Sequence, residues 1–145
     1  MKSNQENELL NTWLSITNIQ TNINHELEKV LQENHNLSLR EFYVLYFLSQ
    51  TNDKELRLQQ LQEMVGLSQS AISRLVDRME AKSCGALQRH ICEEDRRGIY
   101  TRLTPLGEAK LQIALSTFHH VLNSVAVLLM KVRNCFFIPI GEQPP

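Results

Sequence analysis

Apolar residues recur every three or four positions over two long stretches of the chain, residues 9–33 and 104–130. This spacing predicts two long amphipathic helices, because residues three and four apart share one face of an α-helix. Each helix then needs a partner surface, either the core of its own domain or a second subunit. The apolar positions include Leu9, Trp13, Ile16, Ile19, Ile23, Leu27 and Val30 in the first stretch and Leu106, Ala109, Ile113, Phe118, Leu122, Val125 and Leu129 in the second.

Shorter elements are predicted between these two stretches, in residues 36–103. Ser38 followed three positions later by Glu41 fits a capping box at the start of a helix. The apolar residues that begin at Phe42 are dense enough for a central core helix. Residues 51–55, TNDKE, are typical of a loop.

Residues 58–79 predict two short helices joined across Gly66, which is a helix-turn-helix. Ser68 can cap the second helix, and a glycine permits the left-handed backbone of the turn. Gln62 departs from the pattern, because a small residue at that position usually lets the two helices approach. The apolar residues that pack the pair are Leu58, Leu61, Val65, Leu67, Ile72, Leu75, Val76 and Met79.

The apolar period changes to two in residues 87–91 and 99–103, on either side of a turn rich in acids and arginines. Alternation around a turn predicts a β-hairpin. Thr104 and Pro105 then fit the N-cap and first position of the next helix. The sequence therefore predicts a mainly α fold, a winged helix-turn-helix DNA-binding lobe with long N- and C-terminal dimerisation helices.

Charge supports a nucleic-acid partner only locally. The formal net charge of the 145 residues is −1, which gives no global argument for DNA. Residues 67–102 carry seven Lys or Arg against five Asp or Glu, whereas residues 1–66 carry five against nine. The helix-turn-helix and the hairpin thus lie in the more basic part of the chain.

Cysteine usage and the absence of a signal pattern indicate a compartment. Cys84, Cys92 and Cys135 form no C-x-x-C pair, which argues against a disulfide scaffold and favours a reducing cytoplasm. The polar N-terminus does not look like a secretory signal, and the apolar run at 125–130 is too short to span a bilayer. We expect a cytoplasmic protein with no membrane partner.

The candidate DNA contacts are polar side chains on the second helix of the helix-turn-helix and on the hairpin. The second helix of such a pair enters the major groove, and the hairpin lies over the neighbouring minor groove or backbone. Gln and Arg carry donors that read purine edges, and serine hydroxyls suit phosphates. A solvated helix face without a ligand is the alternative. The candidates are Ser68, Gln69, Ser70, Ser73, Arg74 and Arg78 on the helix, with Arg89, His90 and Arg102 on the hairpin strands.

The hairpin turn carries the pattern D-x-R-x5-L-T without a gap, as DRRGIYTRLT at residues 95–104. Together with the helix-turn-helix before it and LTPLGEAKL after it, this pattern resembles the MarR family of transcriptional regulators over about residues 9–125. The resemblance implies that Arg97 reaches DNA, that Arg96 contacts phosphate or joins a bracing pair, and that Asp95 braces the turn. An exposed salt bridge of little energetic value is the alternative.

The length predicts a single domain over residues 1–145. The resemblance implies that 9–33 and 104–130 are its dimerisation helices and that 36–103 form the winged helix-turn-helix. The expected function is a repressor that binds a pseudo-palindromic operator on double-stranded DNA as a homodimer, without a cofactor. Family members usually finish with a further helix, whereas residues 131–145 do not look helical and are predicted to form an atypical tail.

A small aromatic or phenolic effector is also implied by the resemblance, since family members commonly bind such anions between the dimerisation and DNA-binding regions. Here the ligand is expected near Trp13, Phe42, Tyr46 and Phe118. Plain core packing of these aromatics is the favoured alternative.

Two other functions remain as alternatives. Oxidation of Cys84 or Cys92 could regulate DNA binding; Lys82 would favour a thiolate at Cys84, whereas Glu93 and Glu94 disfavour one at Cys92. A winged helix that binds protein and not DNA is the second alternative. The chain has no histidine pair with metal-ligand spacing and no catalytic motif, so neither a metal site nor an enzyme is expected.

Overall fold

The structure is a computed structural model that describes residues 2–81, 83–91 and 98–136. Helices dominate it, and three short strands form one sheet. In chain order the elements are α1 (Lys2–His35), α2 (Leu39–Ser49), β1 (Glu55–Arg57), α3 (Leu58–Val65), α4 (Gln69–Glu80), β2 (Leu87–Ile91), β3 (Ile99–Leu103), α5 (Pro105–Ser124) and α6 (Ala126–Phe136).

The N-caps predicted from the sequence begin three of the helices. At the start of α2, the Ser38 hydroxyl accepts from the backbone N–H of Glu41 (3.1 Å), and the Glu41 carboxylate accepts from the N–H of Ser38 (2.9 Å). The hydroxyls of Ser68 and Thr104 accept from first-turn N–H groups of α4 and α5. These side chains satisfy backbone donors that the helix itself leaves unpaired.

The helix-turn-helix consists of α3 and α4. Helix α3 ends at Gly66, whose φ of +72° lies in the left-handed region that favours glycine. Leu61 of α3 and Ile72 and Val76 of α4 are completely buried. The predicted pair is therefore confirmed, with the turn where the glycine allows it.

The three strands form an antiparallel sheet in the order β1-β3-β2. The hairpin register runs from Leu87 opposite Leu103 to Ile91 opposite Ile99, over the two stretches that the alternation predicts. Strand β1 was not predicted, because its first residue was read as part of a loop. Its three residues pair only with β3, a partner distant in sequence that local pattern cannot reveal.

The core lies where α2 meets the helices around it. Leu45 and Leu48 of α2 are fully buried, and Phe42 nearly so. Helix α1 contributes from Leu27 onward and lies along α5, whose Leu111 is also buried. Strands β2 and β3 cover the other end of the core. This arrangement joins the long helices to the helix-turn-helix through α2.

The C-terminal helical region differs from the prediction of one helix over residues 104–130. Helix α5 ends at Ser124, whose hydroxyl donates to the backbone carbonyl of Val121 (2.6 Å). Such a bond from a serine side chain competes with regular helical bonding and often accompanies a bend or an end. A second helix, α6, begins at Ala126, with one residue, Val125, between the two helices.

The expectation of an irregular tail from residue 131 is wrong for its first part, because α6 continues to Phe136. Residues 126–136 contain neither Gly nor Pro, so nothing in their composition stops a helix. The rest of the predicted tail, 137–145, lies outside the described residues. In the described part of the chain, no helix combines the length and apolarity needed to cross a membrane.

Two exposed apolar surfaces stand out on the long helices. The first half of α1 exposes Leu9, Leu10, Trp13 and Leu14, all more than half accessible. Helix α6 exposes Val127, Leu128 and Met130. None of the described residues covers these side chains, and large exposed apolar patches commonly mark interfaces.

Candidate nucleic-acid interface

Helix α4 presents one face to the core and the other to solvent. Ile72, Leu75, Val76 and Met79 are buried, which fixes the rotation of the helix about its axis. Gln69, Ser70, Arg74 and Arg78 are exposed, and Ser73 is half-buried. The structure therefore brings these five predicted DNA contacts together on the outer side of α4. Ser68 is also exposed, but its hydroxyl accepts from the backbone N–H of Ala71 (3.2 Å) and so serves as the N-cap of α4.

A basic groove runs along one flank of α4. Arg74 and Arg78 line it, one helical turn apart, and Arg40 from the first turn of α2 lines it from the opposite side, with Ser38. Its volume is about 380 Å³. Among the described residues, Arg74 and Arg78 have no ion pair or hydrogen bond, so these guanidinium groups remain available to a ligand.

Arg40 was missed by the sequence reasoning. Its guanidinium donates to the backbone carbonyl of Val65, in the last turn of α3, where a positive charge is favoured by the helix dipole. This contact holds Arg40 beside the turn of the helix-turn-helix. The sequence signal for Arg40 was its position in the first turn of a predicted helix. The approach of α2 to α3 is a tertiary contact, which the sequence alone does not show.

A cleft of about 440 Å³ lies on the other flank of α4, between the starts of α3 and α4 and the hairpin. Gln59, Gln62 and Gln69 line it with polar amides, and Ile99 of β3 closes one side. Gln62 is the residue that departs from the usual helix-turn-helix pattern. It is half-buried and lines this cleft, which explains how a large residue is accommodated at that position.

Arg89 of β2 is held by two acids of α4. Its guanidinium pairs with Asp77 and, at 2.7 Å, with Glu80. Burial on its own lowers the pKa of Arg89, but the hydrogen bonds and charges of Glu80 and Asp77 outweigh it, so the pKa is raised above its ordinary value. The network connects the hairpin to α4, and Arg89 is committed to it before any DNA binds.

The other two predicted phosphate contacts of the hairpin are also paired with an acid. Glu55 of β1, largely buried, accepts from Arg102 (3.0 Å) and lies 3.3 Å from the Nε2 atom of His90. The ring of His90 stacks on Tyr100, with centroids 5.7 Å apart. The structure thus places these side chains on the strands of the wing, where both lie beside Glu55. The wing comprises β2, β3 and the residues between them.

The predicted wing tip lies outside the described residues. It includes Asp95, Arg96 and Arg97, and also Cys92 with its neighbours Glu93 and Glu94. The roles given to these residues from the DRRGIYTRLT pattern therefore remain predictions. The two predicted strands that flank the tip, residues 87–91 and 99–103, are present and paired with each other.

The sequence LTPLG joins the wing to α5. The Thr104 hydroxyl accepts from the N–H of Gly107 (3.0 Å) and lies 2.6 Å and 3.0 Å from the carbonyl oxygens of Gly85 and Ala86, to which it can donate. A Cβ at position 107 would lie 2.1 Å from the carbonyl oxygen of Ala86. Only glycine lets α5 approach the base of the wing this closely.

The aromatic residues predicted to bind a ligand are only partly brought together. Phe42, Tyr46 and Phe118 line an aromatic cavity of about 300 Å³ between α2 and α5. The rings of Phe42 and Phe118 stack with centroids 4.4 Å apart. Trp13 is 63% exposed on the first half of α1 and does not line this cavity.

Cys84 is half-buried in the turn after α4, and Lys110 of α5 places its Nζ atom 3.8 Å from the sulfur. This ammonium comes from a distant element and could not be read from the sequence; Lys82, the neighbour considered there, lies outside the described residues. Within the described residues, no three His, Cys, Asp or Glu side chains are grouped so as to hold a metal ion.

Residues 35–98 match the model of the MarR family. This range contains the helix-turn-helix, β2 and the wing tip. A search of the curated proteins finds no match.

Solved structures with the same fold cover most of the chain. The regulator BldR from Sulfolobus solfataricus is 27% identical, with a TM-score of 0.72 over 88% of this chain and 94% of that one. AbsC, a MarR family transcriptional regulator from Streptomyces coelicolor, is 23% identical, with a TM-score of 0.76 over 86% of each chain. Sco3205, a MarR family regulator from the same organism solved in complex with DNA, is 20% identical, with a TM-score of 0.73 over 94% and 92%.

Proposed function

We propose that this chain acts as a MarR-type transcriptional regulator. It has the fold of that family and, over residues 35–98, its sequence pattern. The resemblance drawn from the wing signature is thereby confirmed. The expectation that the chain is not an enzyme is also confirmed, since the matching family and structures are transcriptional regulators. The proposal is that this chain is a cytoplasmic repressor that binds a specific site on double-stranded DNA.

The basic groove is the observation that carries the proposal. Arg74 and Arg78 project from the exposed face of α4 without an acidic partner among the described residues, and Arg40 faces them across the groove. Arginines arranged along a helix that fits the major groove can read guanine edges and grip phosphates. A winged helix that binds protein in place of DNA has no need for two exposed arginines that lack an acidic partner among the described residues.

A homodimer is part of this proposal. The exposed apolar side chains of the first half of α1 and of α6 supply a surface that one protomer leaves uncovered. A two-fold dimer places two copies of α4 about one DNA turn apart, roughly 34–36 Å, and so requires a pseudo-palindromic operator. The wing arginines Arg96 and Arg97 would then reach the minor groove or backbone beside each half-site.

Fluorescence anisotropy with two duplexes tests this function. The first duplex carries the promoter region beside the gene for this chain, and the second has the same base composition in scrambled order. We expect binding to the promoter at least ~10³-fold tighter at physiological salt, with an affinity that falls steeply as salt rises. Equal affinity for both duplexes, or none for either, would contradict the proposal.

An aromatic effector is proposed for the cavity lined by Phe42, Tyr46 and Phe118. The cavity lies between α2 of the DNA-binding lobe and the long helix α5, so a ligand there can alter the angle between them. Salicylate is the probe, added to the promoter complex at constant ionic strength. Release of DNA by salicylate that is lost in Phe118→Ala supports the site, whereas equal release from both proteins argues against it.

Oxidant sensing is the second candidate, favoured by the ammonium of Lys110 beside the Cys84 sulfur. Peroxide should then reduce promoter binding in the wild type and have no effect on Cys84→Ser. Loss of binding in both would assign the effect to another residue.

A further inference from the structure

The polar cleft on the wing side of α4, about 440 Å³ in volume, lies between the starts of α3 and α4 and strand β3. We call it the glutamine cleft, because Gln59 and Gln62 of α3 and Gln69 of α4 line it. It shares no lining residue with the basic groove on the opposite flank of the same helix. A ligand of the glutamine cleft therefore meets a different set of side chains.

The amide groups of these glutamines are available to a ligand. Among the described residues, none of the three side chains has a hydrogen-bond partner. Gln60 of the same helix differs, because its side chain accepts from the backbone N–H of Arg57 (3.2 Å). Gln59 and Gln69 are exposed, and Gln62 is half-buried. A half-buried amide without a partner has lost part of its hydration, so it gains from a ligand that supplies an acceptor.

Among the described residues no acid lines the glutamine cleft, and the one cation there is restrained. Arg57 donates from Nε to the hydroxyl of Tyr100 (3.1 Å), and its guanidinium lies 5.6 Å from the centre of that ring. The glutamine N–H groups can donate to the oxygens of an anion, and no described carboxylate repels it. Leu58 and Ile99 add apolar surface beside the amides. Amide donors next to apolar surface fit a sugar–phosphate unit, since glutamine is a regular donor to phosphate oxygens.

The position of the cleft on the lobe indicates which part of DNA reaches it. When α4 enters the major groove and the wing lies over the neighbouring minor groove, one sugar–phosphate strand runs between them, because such a strand separates the two grooves. The glutamine cleft lies between α4 and β3 and therefore faces this strand.

We propose that the glutamine cleft holds one backbone phosphate in each half-site of the operator, through the amide N–H groups of Gln59 and Gln62. This inference rests on the proposed function. The contact sets where the lobe lies on the duplex and reads no base. Because the donors are neutral, they add little to the salt dependence of binding, in contrast to the arginines of the basic groove. Gln62 thereby has a role at a helix-turn-helix position where a small residue is usual.

Gln62→Ala is the first test, because a small residue is usual at this position and the helix-turn-helix can pack without the amide. Promoter and scrambled duplexes are both measured by anisotropy over a salt series, and thermal denaturation of each protein checks its folding. We expect affinity to fall about 3- to 10-fold, by the same factor on both duplexes, with an unchanged slope of log affinity against log salt. Gln59→Ala should behave in the same way. The matched control Gln50→Ala removes an exposed amide at the end of α2 and should leave both affinities unchanged.

Every other result contradicts the inference in its own way. A larger loss on the promoter than on the scrambled duplex means that Gln62 reads a base. Wild-type binding that stays unchanged in both Gln62→Ala and Gln59→Ala means that the cleft contacts no DNA, and it overturns this inference alone. A wild type that binds neither duplex overturns the proposed function together with it.

Methylphosphonate linkages test the phosphate contact directly. Each linkage of both strands across one half-site is replaced in turn by a methylphosphonate, which lacks the charge of a phosphate, and binding of the wild type and of Gln62→Ala is compared. At the contacted linkage, the wild type should lose at least ~3-fold more affinity than Gln62→Ala, because the variant has already lost that contact. A variant that only disturbs the fold shows no such coupling at a single position. Equal losses in the two proteins at every linkage overturn the assignment.

Discussion

Two regions of the candidate nucleic-acid interface use arginine in opposite ways. In the basic groove, Arg74 and Arg78 point from α4 into solvent without an acidic partner among the described residues. On the wing side of the same helix, Arg89 is tied to Asp77 and Glu80. All three arginines lie within one small lobe, but their surroundings give them different tasks.

The difference indicates that the arginines of this interface are not equally free to bind a ligand. To bind a phosphate, Arg89 must weaken two charged hydrogen bonds that already exist, so its net gain is small. Arg74 and Arg78 have no ion pair to break with any of the described residues. We therefore assign Arg89 to positioning the wing against α4, and its direct contact with DNA remains a prediction that the following variants test.

Arg74→Ala is expected to have the largest effect. Loss of one bidentate contact with a base costs ~1–3 kcal/mol, so promoter affinity should fall roughly 5- to 150-fold while affinity for scrambled duplex changes much less. Anisotropy on both duplexes measures this. Lys29→Ala, which removes an exposed charge on α1, is the control and should change neither affinity. A uniform loss on both duplexes would mean that Arg74 contacts phosphate only.

Substituting the acids that pair with Arg89 should leave its guanidinium available to a ligand, like those of Arg74 and Arg78 in the basic groove. The double variant Asp77→Asn, Glu80→Gln removes two negative charges and frees one guanidinium. Affinity for scrambled duplex should then rise about 3- to 10-fold, with a steeper salt dependence. The control Glu26→Gln, Glu33→Gln makes the same charge change on α1. If both double variants gain equally, total charge and not the release of Arg89 explains the result.

Arg89→Met should mainly lower stability, because it removes the network and keeps the apolar stem. The ion pairs are partly exposed, so a loss of about 1 kcal/mol in the free energy of unfolding is expected. That loss corresponds to roughly 2–4 °C in Tm, measured by thermal denaturation. The double variant Arg89→Met, Asp77→Asn should lose less free energy of unfolding than the sum of the losses in the two single variants. Full additivity would show that the pair does not interact in solution.

Arg97→Ala is expected to give the smallest change. By the family resemblance this wing arginine reaches DNA, and loss of one such contact should weaken promoter binding and reduce the slope of log affinity against log salt by about one unit. Anisotropy over a salt series gives both values. An unchanged slope and affinity would rule out the wing role of Arg97.

Sequence reasoning succeeded where the signal is local. Three helices are capped by a serine or threonine that lies immediately before them, Ser38, Ser68 and Thr104. Helix α3 ends before Gly66, where the glycine itself permits the left-handed backbone of the turn. The hairpin strands follow from alternation alone. All of these features depend on residues within a few positions of one another.

Features that depend on distant partners were not predicted. Strand β1 exists because β3 pairs with it, and Arg40 joins the basic groove because α2 lies against α3. Likewise, the sequence placed both Arg74 and Arg89 among the candidate DNA contacts. They differ because β2 packs beside α4, so that Arg89 pairs with two acids of α4. The spacing of residues along the chain does not reveal this contact.

The contact of Gly107 with the carbonyl of Ala86 limits how this molecule can move. No side chain separates the start of α5 from the base of the hairpin, and Thr104 bonds across the same seam. The hairpin therefore cannot slide along α5, and any tilt of that helix carries the hairpin with it. A signal received among the long helices thus reaches the hairpin as a change of orientation, without a flexible segment between the two.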